Sequence, residues 1–219
     1  MGQIWSAQLG ISKYRVRQRS LRKFFWQFRV ILVGDSTVGK TSIVLRLTEG
    51  KFREDLQKTI GVDYYIHILE TAPTIRVKLQ VWDTAGEKEH RTITQSHLQT
   101  ILGGLLVFDL TNRQSLGYLR NWLDETCTVL DQCKCIFILV GHKSDLSAER
   151  QISQEEAEQI AADLGVRYIE TSAKDNTNIQ EVFLLLASLI AESVKTEVIE
   201  VKGGIRAITE ISSPVFLKQ

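Results

Sequence analysis

Gly34-Asp35-Ser36-Thr37-Val38-Gly39-Lys40-Thr41 stands between the apolar run Phe28–Val33 and the segment Ser42–Leu47. The order reads as strand, glycine loop and helix, the setting that a G-x-x-x-x-G-K-[ST] phosphate loop requires. Gly34 and Gly39 let the backbone turn tightly and bring its N–H groups up to phosphate oxygens. The positive end of the following helix adds to the same anion site. The candidate phosphate-binding residues are therefore Gly34, Asp35, Ser36, Thr37, Val38, Gly39, Lys40, Thr41 and Ser42. Lys40 is placed to reach the outer phosphates as a point charge, and the Thr41 hydroxyl to ligate magnesium. The bland alternative is a chance match at an ordinary strand–helix turn, and the correct flanking pattern weighs against it.

Downstream, the helix from about Thr41 to Thr48 is expected to stop near Gly50. A polar connection, Lys51 to Lys58, leads to Thr59-Ile60-Gly61. Tyr64–Leu69 and Ile75–Trp82 read as a hairpin, with β-branched and aromatic residues on both sides of a turn. Trp82-Asp83-Thr84-Ala85-Gly86 closes a strand with an acid at its carboxyl end, where a P-loop fold uses an Asp to assist magnesium through water. Leu105–Asp109 reads as a buried strand, and Gln114–Leu130 as an amphipathic helix with Leu116, Leu119, Leu123 and Leu130 at helical spacing. The unbroken apolar run Ile136–Val140 suits a parallel strand covered on both faces. Ser153-Gln154-Glu155-Glu156 has the capping-box form, with Gly165 past the helix it opens. Tyr168-Ile169 gives a short last strand. Asn178–Glu192 is a helix lined on one face by Ile179, Val182, Phe183, Leu186 and Ile190. Strands alternating with helices predict a doubly wound α/β sheet with its ligand at the carboxyl ends of the strands.

The 219 residues suffice for one core with tails. Residues 1–34 hold seven of the 27 basic residues and none of the 26 acidic ones, which leaves 20 against 26 in the remainder, a net −6. A basic arm on an acidic body suggests that the arm meets something anionic. No apolar run approaches the ~20 residues of a membrane span. Cys127, Cys133 and Cys135 form neither a disulfide framework nor a paired zinc motif, which fits a reducing cytosol. Cys133 and Cys135 are expected to pack at a strand start.

Met1-Gly2-Gln3-Ile4-Trp5-Ser6 matches the M-G-x-x-x-[ST] myristoylation pattern, and the basic run Lys13–Lys23 follows it. A single myristoyl chain binds membrane marginally, whereas a chain plus a polybasic patch anchors stably. Three readings stay open: an anchor at Gly2, a mitochondrial transit peptide, and a plain extension.

Two later motifs select the base. His142-Lys143-Ser144-Asp145 follows a strand ending at Gly141, and a carboxylate there can accept from guanine's ring N–H and exocyclic amine. Adenine lacks that donor pair. Glu170-Thr171-Ser172-Ala173-Lys174 follows the last strand, where a backbone N–H can meet the guanine carbonyl.

Taken in order, G-D-S-T-V-G-K-T, the Thr59 region, W-D-T-A-G, H-K-S-D and E-T-S-A-K resemble the Ras superfamily of small GTPases and, within it, the Rab branch. The resemblance covers roughly Phe28 to Glu192. It implies a P-loop fold with a mostly parallel six-stranded sheet, one antiparallel edge strand and flanking helices. The expected body is residues 28–192, between a basic extension, 1–27, and a tail, 193–219. By the same resemblance, Thr59 ligates magnesium beside Thr41 and Asp83 and senses the γ-phosphate. Phe52 packs against the guanine, with His142, Lys143, Asp145, Ser172, Ala173 and Lys174 completing the base site. Tyr64 and Trp82 belong to an effector-facing aromatic surface, although these two and Phe52 could pack only locally.

Departures from the family pattern are informative. His142 replaces the family's Asn, which touches the base and braces the phosphate loop; G-H-K-S-D resembles a minor Rab subgroup, so guanine binding is expected to survive. Glu87 follows Gly86 where the family carries Gln, which orients the attacking water with an acceptor and a donor. A carboxylate loses the donor and sets negative charge beside the γ-phosphate. Losing one such oriented donor typically costs ~2.7–4 kcal/mol, so slow intrinsic hydrolysis is expected. Activating partners of the family donate an Arg and a Gln in trans, which leaves assisted turnover open. His97 stands where the third effector-facing aromatic is expected. No cysteine follows Cys135, so prenylation is not expected, unless the written termini differ from those of the functional protein. Ser36 takes a loop position where Ras itself has Gly.

The sequence therefore reads as a Rab-like GTPase that binds GTP and GDP with Mg²⁺. Lys40, Thr59, Gly86 and a compromised Glu87 form its catalytic set, with Thr41 beside them. A GTP-held scaffold without turnover is the runner-up, and a P-loop kinase or ATPase the third reading, opposed by Asp145 and Ser172-Ala173-Lys174. Exchange factors, activating proteins and effectors are expected at the Thr59 and Gly86–His97 regions. Peripheral contact with endomembranes through Gly2 and the basic arm, a cytosolic monomer and no nucleic acid complete the expectation.

Overall fold

The computed structural model describes residues 24–72, 75–86, 100–133 and 135–195. The apolar run ahead of the glycine loop forms β1 (Phe24–Val33), near the middle of a six-stranded sheet. The strand alternates: Phe28, Val30 and Leu32 enter one core, while Ile31 and Val33 enter the other. The sheet order is β2-β3-β1-β4-β5-β6, with β2 (Val62–Ala72), β3 (Ile75–Thr84), β4 (Gly103–Asp109), β5 (Ile136–His142) and β6 (Arg167–Thr171). Only β2, at the edge, runs antiparallel to its neighbour; the other pairings are parallel. The expected fold class is the one observed.

Among the described residues four helices cover the faces: α1 (Lys40–Glu49), α2 (Gln114–Cys133), α3 (Gln154–Asp163) and α4 (Ile179–Lys195). On one face Ile43 and Val44 of α1 meet Val182, Phe183 and Leu186 of α4 over Leu79 and Val81. On the other, Leu119 and Trp122 of α2 and Ala157 and Ala161 of α3 pack over Leu106, Phe108 and Leu139. Each fully buried side chain of this size contributes about 1.5–3 kcal/mol relative to exposure. β4 is buried along its whole length, as a strand clad on both faces must be.

Three boundaries differ from the sequence reading. Residues 24–27, assigned above to the extension, are strand, because β1 stays in register with β3 from Phe24 opposite Ile75. At the other end α4 continues to Lys195, three residues past the expected body. Cys133 ends α2 rather than opening a strand, while the Cys135 thiol donates to the Ile101 carbonyl at 3.2 Å.

Candidate functional site

Where β1 ends, the chain must turn into α1. Thr37 and Gly39 take positive φ, 65° and 99°. A β-branched residue there is strained, and the turn it sustains aims successive backbone N–H groups into one concavity. Gly39 is required on steric grounds as well, since a Cβ on it would lie 2.5 Å from the His142 ring. Lys40 folds back over the loop, donating to the carbonyls of Gly34 at 2.9 Å and Asp35 at 2.7 Å. Burial lowers its pKa to about 8, opposed by Asp83 and Asp35, so an arriving phosphate favours its charged form. Asp35 accepts from the Ser36 N–H at 2.7 Å, and Val38 anchors the loop in the core.

The three residues expected at the metal meet. Thr41 Oγ1 lies 2.8 Å from Thr59 Oγ1 and donates to Asp83 Oδ2 at 2.6 Å. Asp83 is buried, and its other oxygen, Oδ1, has no hydrogen-bond partner. Burial raises its carboxyl to about 6, against the Thr41 hydrogen bond and Lys40. A buried acceptor left unmatched beside two hydroxyls fits a hydrated cation. Among the described residues no group of three His, Cys, Asp or Glu could hold a metal by itself. Magnesium keeps waters and shares phosphate oxygens instead of taking an all-protein cage, and Thr41, Thr59 and Asp83 could hold it here.

Gly86, at the end of β3, presses on the phosphate loop; a Cβ there would fall 2.1 Å from the Ser36 nitrogen. The Ala85 N–H donates to the Gly61 carbonyl at 2.9 Å, joining this segment to the one carrying Thr59.

A cavity of about 490 Å³ connects these groups to residues that follow β5 and β6. Ser36, Thr37, Gly39, Lys40, Thr41, Ser42, Thr59 and Gly86 line it together with Phe52, His142, Lys143, Asp145, Ala173 and Lys174. Asp145 Oδ1 accepts from Ser172 Oγ at 2.7 Å, and Ser172 Oγ accepts from the Asp175 N–H at 3.0 Å, so the Asp145 carboxylate is braced. Lys143 pairs with Asp109 at 2.7 Å. His142 Nδ1 is 2.8 Å from Thr171 Oγ1; burial, reinforced by Lys143, lowers its pKa to about 4, so the ring is neutral. Gly34, Asp35, Val38, Asp83 and Ser172 are not among the residues that line the cavity.

Tyr64 and Trp82 lie elsewhere, paired across β2 and β3. Their rings meet edge-on with centroids 6.2 Å apart, and Tyr64 is 48% exposed. Gly2, Glu87 and His97 lie outside the described residues.

Sequence reading passed over Arg46. From α1 it donates to the carbonyls of Ala173 at 2.6 Å, Lys174 at 3.1 Å and Gly50 at 2.7 Å. A basic residue in the last turn of a helix is an ordinary sight, and nothing local signals a partner 127 positions away.

The Ras family model matches residues 29–192. The chain is 45% identical over 185 residues to human Ras-related protein Rab-39A, covering 83% of this chain and 85% of that protein. Identity to human Ras-related protein Rab-42 is 40% over 197 residues, covering 86% and 90%. Ras-related protein SEC4 of Candida albicans is 40% identical over 185 residues, covering 84% and 87%.

Proposed function

This chain belongs to the Ras family of small GTPases, on its Rab branch, and from that premise we propose a guanine-nucleotide switch of vesicle traffic that holds GTP or GDP with magnesium and hydrolyses GTP slowly. One observation carries the reading: Thr41, which bridges Thr59 and Asp83, lines the same cavity as Asp145, braced by Ser172. In the reaction water attacks the γ-phosphorus, the bond to the β–γ bridging oxygen breaks, and GDP and phosphate leave. Magnesium, when bound, neutralises charge on the outer phosphates. Lys40 and the loop N–H groups hold those oxygens, Thr59 registers whether the γ-phosphate is present, and Gly86 follows it. Tyr64 and Trp82 serve as the partner-facing surface, continued by His97. Gly2 and the basic arm supply peripheral membrane contact; no described helix is long and apolar enough to cross a membrane.

Glu87 limits the rate, because its carboxylate cannot donate to the attacking water. Single-turnover phosphate release from the GTP-loaded protein should run ~10²-fold slower than in Glu87→Gln; equal rates overturn the slow-turnover reading. Glu87 also favours a second reading, a scaffold held in its GTP state. GTP retained through purification, with no release at all from the wild-type chain, would select it.

A further inference from the structure

Arg46 touches two segments that carry lining residues of the cavity. Its Nη1 donates to the Gly50 carbonyl at 2.7 Å, and the Gly50 N–H donates back to the Arg46 carbonyl at 3.1 Å. Gly50 opens the segment that carries Phe52 into the cavity two residues later. On the other side Nε and Nη2 donate to the consecutive carbonyls of Ala173 and Lys174. That loop is otherwise restrained by the backbone hydrogen bonds of 3.1 and 2.9 Å that Ser172 and Thr177 exchange, and by the Asp175 N–H donating to Ser172 Oγ at 3.0 Å. Its tip is the part expected to present an N–H to the base. Three carbonyls on two separate segments thus accept from one rigid, planar donor set.

We infer that Arg46 is a positioning residue for base recognition: its guanidinium fixes the Ala173–Lys174 backbone against the Gly50–Phe52 wall, and so sets the N–H that reads the carbonyl of guanine. The inference rests on the guanine reading above. Arg46 does not touch the base; it acts through the loop.

The test measures affinity and dissociation of three diphosphates on the full chain with magnesium. GDP is the reference, 6-thio-GDP replaces only the carbonyl oxygen, and IDP lacks only the exocyclic amine read by Asp145. Arg46→Ala should raise GDP dissociation about tenfold, the effect of losing hydrogen bonds from a charged donor. It should also abolish most of the preference for GDP over 6-thio-GDP, while the preference for GDP over IDP holds within about twofold. Arg46→Lys keeps charge and fold but cannot engage three carbonyls together, so it should fall between. An unchanged carbonyl preference in either variant, or none in wild type, overturns the assignment. Equal loss of both preferences does so too, since general loosening predicts that result. Failure of wild type to bind GDP at all would instead remove the guanine reading itself, and Arg46's role with it.

Discussion

His142 stands with its ring against Gly39 and its Nδ1 on Thr171, so one side chain joins the glycine loop to the end of β6. An imidazole can do this only while neutral, because protonation would put a charge in a buried site beside Lys143. Burial and Lys143 lower its pKa to about 4, against Asp145, Asp109 and the Thr171 contact. An unfolded chain titrates near the ordinary 6.5. Above that pH neither form binds the proton, and the contribution to stability is complete. As pH falls from 6.5 towards 4, the unfolded chain takes up a proton that the fold refuses, and stability declines. Between pH 7 and 5 the loss from this group should be about 2 kcal/mol. Asp83, raised to about 6, acts in the opposite direction over part of that window. It is common to both proteins in a comparison of wild type with His142→Asn, so the difference reports His142. Urea unfolding at the two pH values provides the measurement. The Asn variant should lose about 2 kcal/mol less on acidification; parallel losses would show that His142 carries no linkage.

At the scale of elements, α3 begins on a local device. Ser153 accepts from the Glu156 N–H at 3.2 Å, satisfying one of the orphan donors of the first turn. Glu156 in turn pairs with Arg113 at the start of α2. Ser153→Ala should destabilise the protein by about 1 kcal/mol, lowering its melting temperature by roughly 2–4 °C, with GDP affinity unchanged. A melt that does not move would mean that water or the Glu156 pair replaces the cap. This cap, the glycine loop and the apolar run of β1 were legible because each is written within a few residues of itself. The extra turn-length of β1 was not, since Phe24–Gln27 become strand through pairing with β3, about fifty residues on. The same contrast runs through the site. Asp83, in the last residues of β3, and Asp145 and Ser172, each past a strand end, announce themselves by motif. Arg46 and the Asp109–Lys143 pair depend on which segments the sheet order brings side by side, and no spacing in the chain records that.

For the whole molecule, the direction of the strands decides where each function faces. β1 runs ten residues from Phe24 to the glycine loop, a distance of roughly 33 Å at the rise of an extended strand. α4 runs the opposite way, with Ile190 over Gly103, the first residue of β4. Both ends of the described body therefore leave from the side opposite the cavity. An arm at residues 1–23 that meets a membrane would put that side toward the lipid and leave the cavity and the Tyr64–Trp82 face toward solvent and partners. The arm's charge supports this reading, with six of its 23 residues basic and none acidic. Each basic residue near an anionic surface contributes about 1 kcal/mol, whereas one myristoyl chain alone binds marginally. The two signals should therefore act jointly. Co-expressed with a myristoyltransferase, the full chain should float with phosphatidylserine-containing vesicles at low salt. It should be released by about 0.5 M salt, where the Debye length shrinks to a few ångströms. Gly2→Ala should not incorporate myristate and should stay in the soluble fraction. Equal flotation of the two proteins would assign any membrane contact to charge alone, and absence of label from the wild-type chain would remove Gly2 from the account.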